Sequence, residues 1–320
     1  MRTCEAPLAD ECKTVAFVGF GEAAQAFVSD WADARPEVLL AFDIKSANAQ
    51  TRPALEAACR RYRVRQVDSI AEALDAADAV FCLVTADQAL VAAQMGAAHL
   101  RPGTWWFDGN SCAPQTKQQA AGIIAGQGGR YIDMAIMAPV HPLKHQVPIT
   151  LSGSQAGAAG DTLRALGFSP RCLGPQVGEA SAIKMIRSVM IKGMEALSAE
   201  CFLAARRAGV DAAVLASLQA SDPQFDWAAR GAYNLERMMV HGARRAAEMR
   251  EVVRTLEGYG LPDGMSAASA HWQDMIAALA LEPGATDLGS RADRILRALH
   301  ATRDETAAGQ GAEPTPPPEG

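Results

Sequence analysis

Residues 14–30 read TVAFVGFGEAAQAFVSD, and this stretch decides the fold. Its first five residues are an apolar run carrying β-branched and aromatic side chains, as a buried strand requires. Gly19-Phe20-Gly21-Glu22-Ala23-Ala24 then forms a G-x-G-x-x-A turn, and from Glu22 an alanine-rich segment predicts a helix as far as Asp33. Gly19 permits the tight turn, Gly21 lets a ligand approach the backbone, and the small Ala24 lets helix and strand pack closely. The start of the helix offers free N–H groups and a partial positive charge to phosphates. A second strand, VLLAFD, ends in Asp43, 24 residues after Gly19, where a carboxylate can hold both hydroxyls of a ribose. A glycine turn with no ligand is the alternative; the strand before it, the helix after it and the acid at this distance weigh against it. The expected ligand is a dinucleotide held by Gly19, Phe20, Gly21, Glu22, Ala23, Ala24 and Asp43. Asp43 repels a 2′-phosphate and so favours NAD, while Lys45 keeps NADP open because its ammonium can pair with that phosphate.

Working outward, short β-rich runs alternate with helical stretches from Thr14 to Val177. Helices are expected over Pro53–Arg61, Ser69–Asp75, Gln88–Leu100 and Pro114–Ala125, and strands at 64–67, AVFCLVT, TWWFDG, RYIDMAIM and PITLSG. Such alternation means βαβ units and a mostly parallel sheet covered on both faces. After Val177 the texture changes: Glu179 to Ala208 is one helix of ~30 residues, ~45 Å long, ended by Gly209. Further amphipathic helices follow, and the proline-rich end lacks apolar residues. The expected organisation is an N-terminal extension (1–13), a Rossmann-type α/β domain (14–177), an all-α domain joined through the long helix (178–300) and a disordered tail (301–320).

Bulk composition narrows the partners. A net charge of −6 gives no general attraction to nucleic acid or anionic membrane. No apolar run approaches the ~20 residues that span a bilayer, and the acidic N-terminus is unlike a secretory signal. Seven scattered cysteines with no C-x-x-C pair support neither a disulfide framework nor a thiolate zinc site. Reduced thiols in a cytoplasmic protein are expected.

Ligands of open α/β sheets sit beyond the carboxyl ends of the strands. AVFCLVT therefore presents Val84 and Thr85 to the cofactor, and TWWFDGNSCAP presents Asp108, Gly109, Asn110 and Ser111, of which Asn110 and Ser111 can donate hydrogen bonds to a carboxylate or to the nicotinamide ribose. On spacing alone turn capping explains the last two slightly better, since Asn and Ser favour turns and Pro114 opens a helix. On the long helix Ser181, Lys184, Ser188, Lys192 and Glu195 recur at three- or four-residue spacing, along one stripe. That pattern alone fits a solvated face as well as a catalytic one. Read as catalytic, Lys184 accepts the proton of a substrate hydroxyl. His141 and His145 flank Pro142 in a loop, so their spacing does not converge on a metal; a substrate wall is the better expectation.

The order of these motifs resembles the β-hydroxyacid dehydrogenase superfamily, the group of 3-hydroxyisobutyrate and 6-phosphogluconate dehydrogenases, over residues ~14 to ~265. The narrower likeness is to the branch with a diverged phosphogluconate-dehydrogenase-like C-terminal domain. It rests on GFGEAA, DGNSCAP, DMAIMAPV and GEASAIKMIRSVMIKG. The resemblance implies a catalytic lysine at Lys184, six residues after Gly178, and a substrate segment at Asp108–Pro114 with Asn110 and Ser111. It also implies an intertwined homodimer. The chain departs from the family pattern in having Ser188 for an asparagine, His141-Pro142-Leu143-Lys144-His145 for a glycine-glycine loop, and Ala247-Glu248-Met249 for Lys-Asp-Leu. A different polar set, His241, Arg244 and Arg245, lies earlier on that helix. The expected function is hydride transfer between NAD(P) and a small hydroxy acid or related alcohol or ketone. Lys184 is then the general acid/base, and Asn110, Ser111, Ser188, Lys192 and His241 line the substrate side. Imine reduction on the same scaffold and a non-catalytic dinucleotide sensor are the rivals; the lysine favours C–O over C–N chemistry.

Overall fold

The computed structural model describes residues 12–31 and 34–310. The N-terminal extension up to residue 11, with Cys4, and the end of the tail from residue 311 lie outside the described residues, as do 32 and 33, where the first helix was expected to close.

The chain opens with β1 (Thr14–Val18), α1 (Glu22–Ser29), β2 (Val38–Phe42), α2 (Arg52–Tyr62), β3 (Arg65–Gln66), α3 (Ile70–Leu74), β4 (Ala79–Cys82), α4 (Ala89–Ala97), β5 (Trp105–Asp108), α5 (Pro114–Gly126) and β6 (Arg130–Ile136). It continues through β7 (Ile149–Ser152), α6 (Ala156–Ala165), β8 (Pro170–Cys172), α7 (Glu179–Arg207), α8 (Asp211–Ser221), α9 (Trp227–Gly258), α10 (Gly264–Ala278) and α11 (Leu288–Gln310). The strands form one sheet in the order β3-β2-β1-β4-β5-β6-β7-β8. All neighbours pair parallel except β6 and β7, which run antiparallel. The link from β6 to β7 contains no crossover helix, and a parallel strand needs one, so the chain reverses instead. Strand order reverses between β1 and β4, the switch point beside which α/β folds bind ligands.

Alternation along the strands fills both faces. Val15, Phe17, Phe81, Trp105 and Phe107 pack on one side with Phe27, Trp31 and Phe168. Ala16, Val18, Val80 and Trp106 pack on the other with Leu74 and Ile124. Phe81 stacks on Phe17, Phe107 and Phe168 with centroids 5.2–5.6 Å apart, in the range where aromatic pairs add to burial.

Three differences from the sequence reading stand out. α6 and β8 were not foreseen: AGAAGDTLRA carries two glycines, and Pro170–Cys172 is three residues long, too short for periodicity to show. The compact units divide inside α7, where the expected boundary was Gly178: the described residues up to 187 with 254–261 form one, and 188–253 with the described residues from 262 on form the other. α11 runs on to Gln310, past the expected tail boundary at 301, because residues 301–310 hold no proline and several helix formers.

The second unit has its own core of Phe202, Leu203, Leu235, Met238, Met239, Ile276 and Ile295. A side chain at Gly242 would meet the Gln273 carbonyl oxygen at 2.6 Å, so glycine lets α9 approach α10.

Candidate functional site

At the switch point the glycine turn behaves as its residues require. Gly19 has φ +88, its N–H donates to the Phe42 carbonyl at 2.8 Å, and an added Cβ would lie 2.6 Å from the Leu83 oxygen. Gly21 instead faces open space, with nothing within 4 Å of where a Cβ would sit. Gly21 is also the N-cap of α1, and no side chain caps the helix there, which leaves first-turn N–H groups for an anion. Asp43 is 8% exposed; its carboxylate accepts the Phe20 N–H at 2.8 Å and the Lys45 N–H at 2.9 Å. It thereby ties the end of β2 to the glycine turn. Each oxygen keeps a lone pair for an incoming hydroxyl.

A cleft opens here, lined by Gly19, Gly21, Glu22, Asp43, Lys45, Val84 and Thr85, with Ile44, Ile70, Val91 and Met95 as apolar wall. This donor set fits a dinucleotide: an uncapped helix start for phosphates, a carboxylate for a ribose and an apolar wall for a flat base. Three residues of the expected cofactor set stand differently. Phe20 and Ala24 are buried in the core and Ala23 packs against it, so they shape the turn and present no side chain to the cleft.

The ends of β4 and β5 are clamped together. Asn110, 3% exposed, accepts the Val84 N–H at 2.7 Å and donates its amide to Asp108 Oδ1 at 2.6 Å and Cys82 Sγ at 3.3 Å. Its amide is engaged within the fold, which is the turn-capping alternative. Ser111 follows, and its hydroxyl accepts a hydrogen bond from Lys184 Nζ at 2.6 Å. Two residues 73 apart in sequence thus meet, and the half-buried Lys184 stands beside the clamped strand ends.

Beneath them lies a charged cluster that the sequence reading did not single out. Lys117, Asp108 and Asp133 have no exposed surface; Lys117 Nζ is 2.9 Å from Asp108 and 3.5 Å from Asp133. Burial opposes the Lys117 charge, but the two carboxylates outweigh it and hold the ammonium above the ordinary lysine value. Burial, reinforced by the same carboxylates, pushes the Tyr131 phenol up. The signal was available: Pro114, Lys117, Ala120 and Ile124 form the buried stripe of α5, and a lysine in such a stripe needs a partner.

In the second unit Lys192 donates to Ser188 Oγ at 2.9 Å and pairs with Glu248 at 2.9 Å, and Glu248 also takes Arg244 at 2.8 Å. The Lys192 charge is therefore balanced inside its own unit. Glu195 is buried against Arg245 and accepts from Gln273 Nε2 at 2.8 Å. His241 is half-buried on α9, one turn before Arg245.

His145 lies against the aromatic core of the first unit. It packs edge-on against Phe168 at 5.8 Å, while Lys144 beside it pairs with Asp30 at the end of α1 at 3.3 Å. Neither histidine lines the cleft. Among the described residues no group of three or more His, Cys, Asp and Glu could hold a metal, and no helix is long and apolar enough to cross a membrane. The described cysteines are free thiols; burial raises Cys12 to about 12 and Cys59 to about 11.

Residues 14–164 match the NAD-binding domain of 6-phosphogluconate dehydrogenase, and residues 205–276 match a domain of unknown function, DUF1932. A conserved hypothetical protein from Sinorhizobium meliloti is 35% identical, with a TM-score of 0.71, over 91% of this chain and 98% of that one. A conserved protein whose structure reveals similarity to 3-hydroxyacid dehydrogenases is 28% identical, with a TM-score of 0.64, over 83% and 97% of the two chains. Mycobacterium tuberculosis 3-hydroxyisobutyrate dehydrogenase, solved with L-serine, has a TM-score of 0.63 over 88% of this chain and 98% of its own; at 16% identity this is a likeness of fold. With its glycine turn, sheet order and helical second unit, the chain belongs to the β-hydroxyacid dehydrogenase superfamily, in the branch that carries the DUF1932 domain.

Proposed function

We propose that this chain is an NAD-dependent dehydrogenase or reductase that interconverts a small hydroxy acid, or a related alcohol, with its ketone, using Lys184 as general acid/base. The observation that carries this reading is the 2.6 Å hydrogen bond from Lys184 Nζ to Ser111 Oγ beside the strand ends that border the dinucleotide cleft. A bound nicotinamide would take or return the hydride. Lys184 takes the hydroxyl proton on oxidation and returns it on reduction. Ser111, already hydrogen-bonded to that ammonium, shares the substrate oxygen with it. Asn110 works from below by holding Val84 and the turn on which Ser111 sits. In the second unit Lys192 donates to Ser188 and pairs with Glu248, which moderates its charge.

Asp43 is the reason to prefer NAD. Its carboxylate lines the cleft beside the glycine turn, and a carboxylate there would repel the 2′-phosphate of NADP. Lys45 also lines the cleft, so NADP remains the second cofactor to test. The chain is further read as a cytoplasmic homodimer: Ile183, Ile186, Met190 and Leu197 are exposed along α7, and a second copy would cover them.

The test follows reduction of NAD and NADP across 2- and 3-hydroxy acids and aryl alcohols, with Lys184→Met beside the parent. Parental turnover that falls by more than ~100-fold in the variant supports acid/base catalysis by Lys184. Parental turnover that survives the substitution overturns it. Cofactor binding without turnover on any of these compounds points to an imine substrate or a dinucleotide sensor.

A further inference from the structure

Lys117 sits where nothing touches water, and taking an ion out of water is costly unless well-placed partners offset it. An apolar residue would pack there at least as well. What the charge does is visible in the two carboxylates it joins. Lys117 Nζ donates to the Asp108 carbonyl at 2.6 Å and to its carboxylate, and it faces Asp133 Oδ1.

Asp108 organises the strand-end turn. It accepts the Tyr131 hydroxyl at 2.7 Å and both the N–H and the amide of Asn110, the residue that holds Val84. Asp133 organises the start of α7. Its Oδ2 accepts the Gly178 N–H at 3.2 Å, the Ser181 N–H at 3.0 Å and the Ser152 hydroxyl at 3.0 Å, and its Oδ1 accepts the Ser181 hydroxyl at 2.5 Å. Gly178 enters with φ +103 against Pro114, so the chain turns tightly into the helix. The helix start adds partial positive charge beside Asp133, which together with Lys117 offsets the two carboxylates. One turn further on, Lys184 reaches Ser111.

We propose that Lys117 is a positioning residue: by bridging Asp108 and Asp133 it holds the Asn110–Ser111 turn and the first turn of α7 at the separation at which Lys184 meets Ser111. This rests on the reading of Lys184 as the acid/base. The bridge acts through two carboxylates and never touches substrate.

The experiment uses Asp133→Asn, which removes the charge that Lys117 faces at the α7 end of the bridge, and Lys117→Met, which removes its centre. Each variant is checked by circular dichroism, NAD affinity and melting. Two readouts follow: kcat against KM, and the acetylation rate of Lys184 by acetic anhydride on the folded protein, measured by mass spectrometry. In both variants kcat is expected to fall by about tenfold or more, as misplacement of a reacting group does, with NAD affinity at the parental value. Lys184, released from Ser111, acetylates faster in both. A folded Asp133→Asn or Lys117→Met with the parental Lys184 acetylation rate overturns the proposal, whatever happens to its stability. If Lys117→Met does not fold, Asp133→Asn decides alone. If Lys184→Met keeps turnover, the acid/base reading falls by itself, and the acetylation rates still decide whether the bridge holds Lys184.

Discussion

The side-chain oxygen of Asn110 accepts the Val84 N–H at 2.7 Å, so one buried amide joins the ends of β4 and β5 just where the dinucleotide cleft and the Lys184–Ser111 contact adjoin. Asn110→Ala leaves the Val84 N–H without this acceptor and removes two donors from Asp108 and Cys82. A loss of ~1–3 kcal/mol is expected, the cost of unmet buried polar groups. NAD affinity should fall with it, read by urea unfolding and titration calorimetry. Unchanged stability would show that the clamp contributes nothing.

The two glycines of the turn should respond oppositely. Gly19→Ala forces φ +88 on a residue with a Cβ and drives that atom against the Leu83 oxygen; about 2 kcal/mol or more of stability should go. Gly21→Ala meets open space, so melting should move little. The new methyl stands in the cleft, however, and NAD should bind about tenfold or more weakly, ~1.4 kcal/mol. Equal effects on stability would contradict the geometry.

Asp43→Asn keeps one acceptor for two backbone donors, so some stability is lost. Its sharper effect is on cofactor choice. Without the carboxylate charge, the ratio of kcat/KM for NAD to that for NADP should drop by about tenfold or more. A constant ratio would place the discrimination elsewhere, Lys45 being a further charged residue on the cleft wall.

His145 adds a pH dependence. Burial against Phe168 lowers its pKa below the ordinary histidine value, with Asp30 pulling it back up and Lys144 pushing it further down. The folded state therefore prefers the neutral ring. That contribution is complete above the unfolded value of about 6.5 and is lost as pH falls from there to the lower folded value. His145→Phe should flatten the stability profile below pH ~6.5 without altering activity at neutral pH. An identical acid limb in both proteins would remove His145 from the account.

Much of this was legible in the chain. Gly19, Gly21, Asp43, Val84 and Thr85 were readable because each sits at a fixed offset from a strand end, and strands announce themselves by local composition. All five line the cleft. Lys184 was readable only as one member of a polar stripe, and its likeness to a known family singled it out. Asn110 and Ser111 are neighbours that sequence could not tell apart: one turns inward to clamp two strands, the other meets Lys184.

What residues 14 to 43 determined by themselves is the α/β class, the turn and the acid opposite it, because these depend on contacts within a single βαβ unit. Tertiary structure alone decided which polar groups are spent on the fold and which stand beside the site. Lys117, Asp108 and Asp133 come from a helix and two strands and share one dry space; Lys192 finds Glu248 on another helix. Such pairings join side chains on different secondary-structure elements, and burial, which turns a charge from a solvated ornament into a structural demand, exists only once those elements have packed.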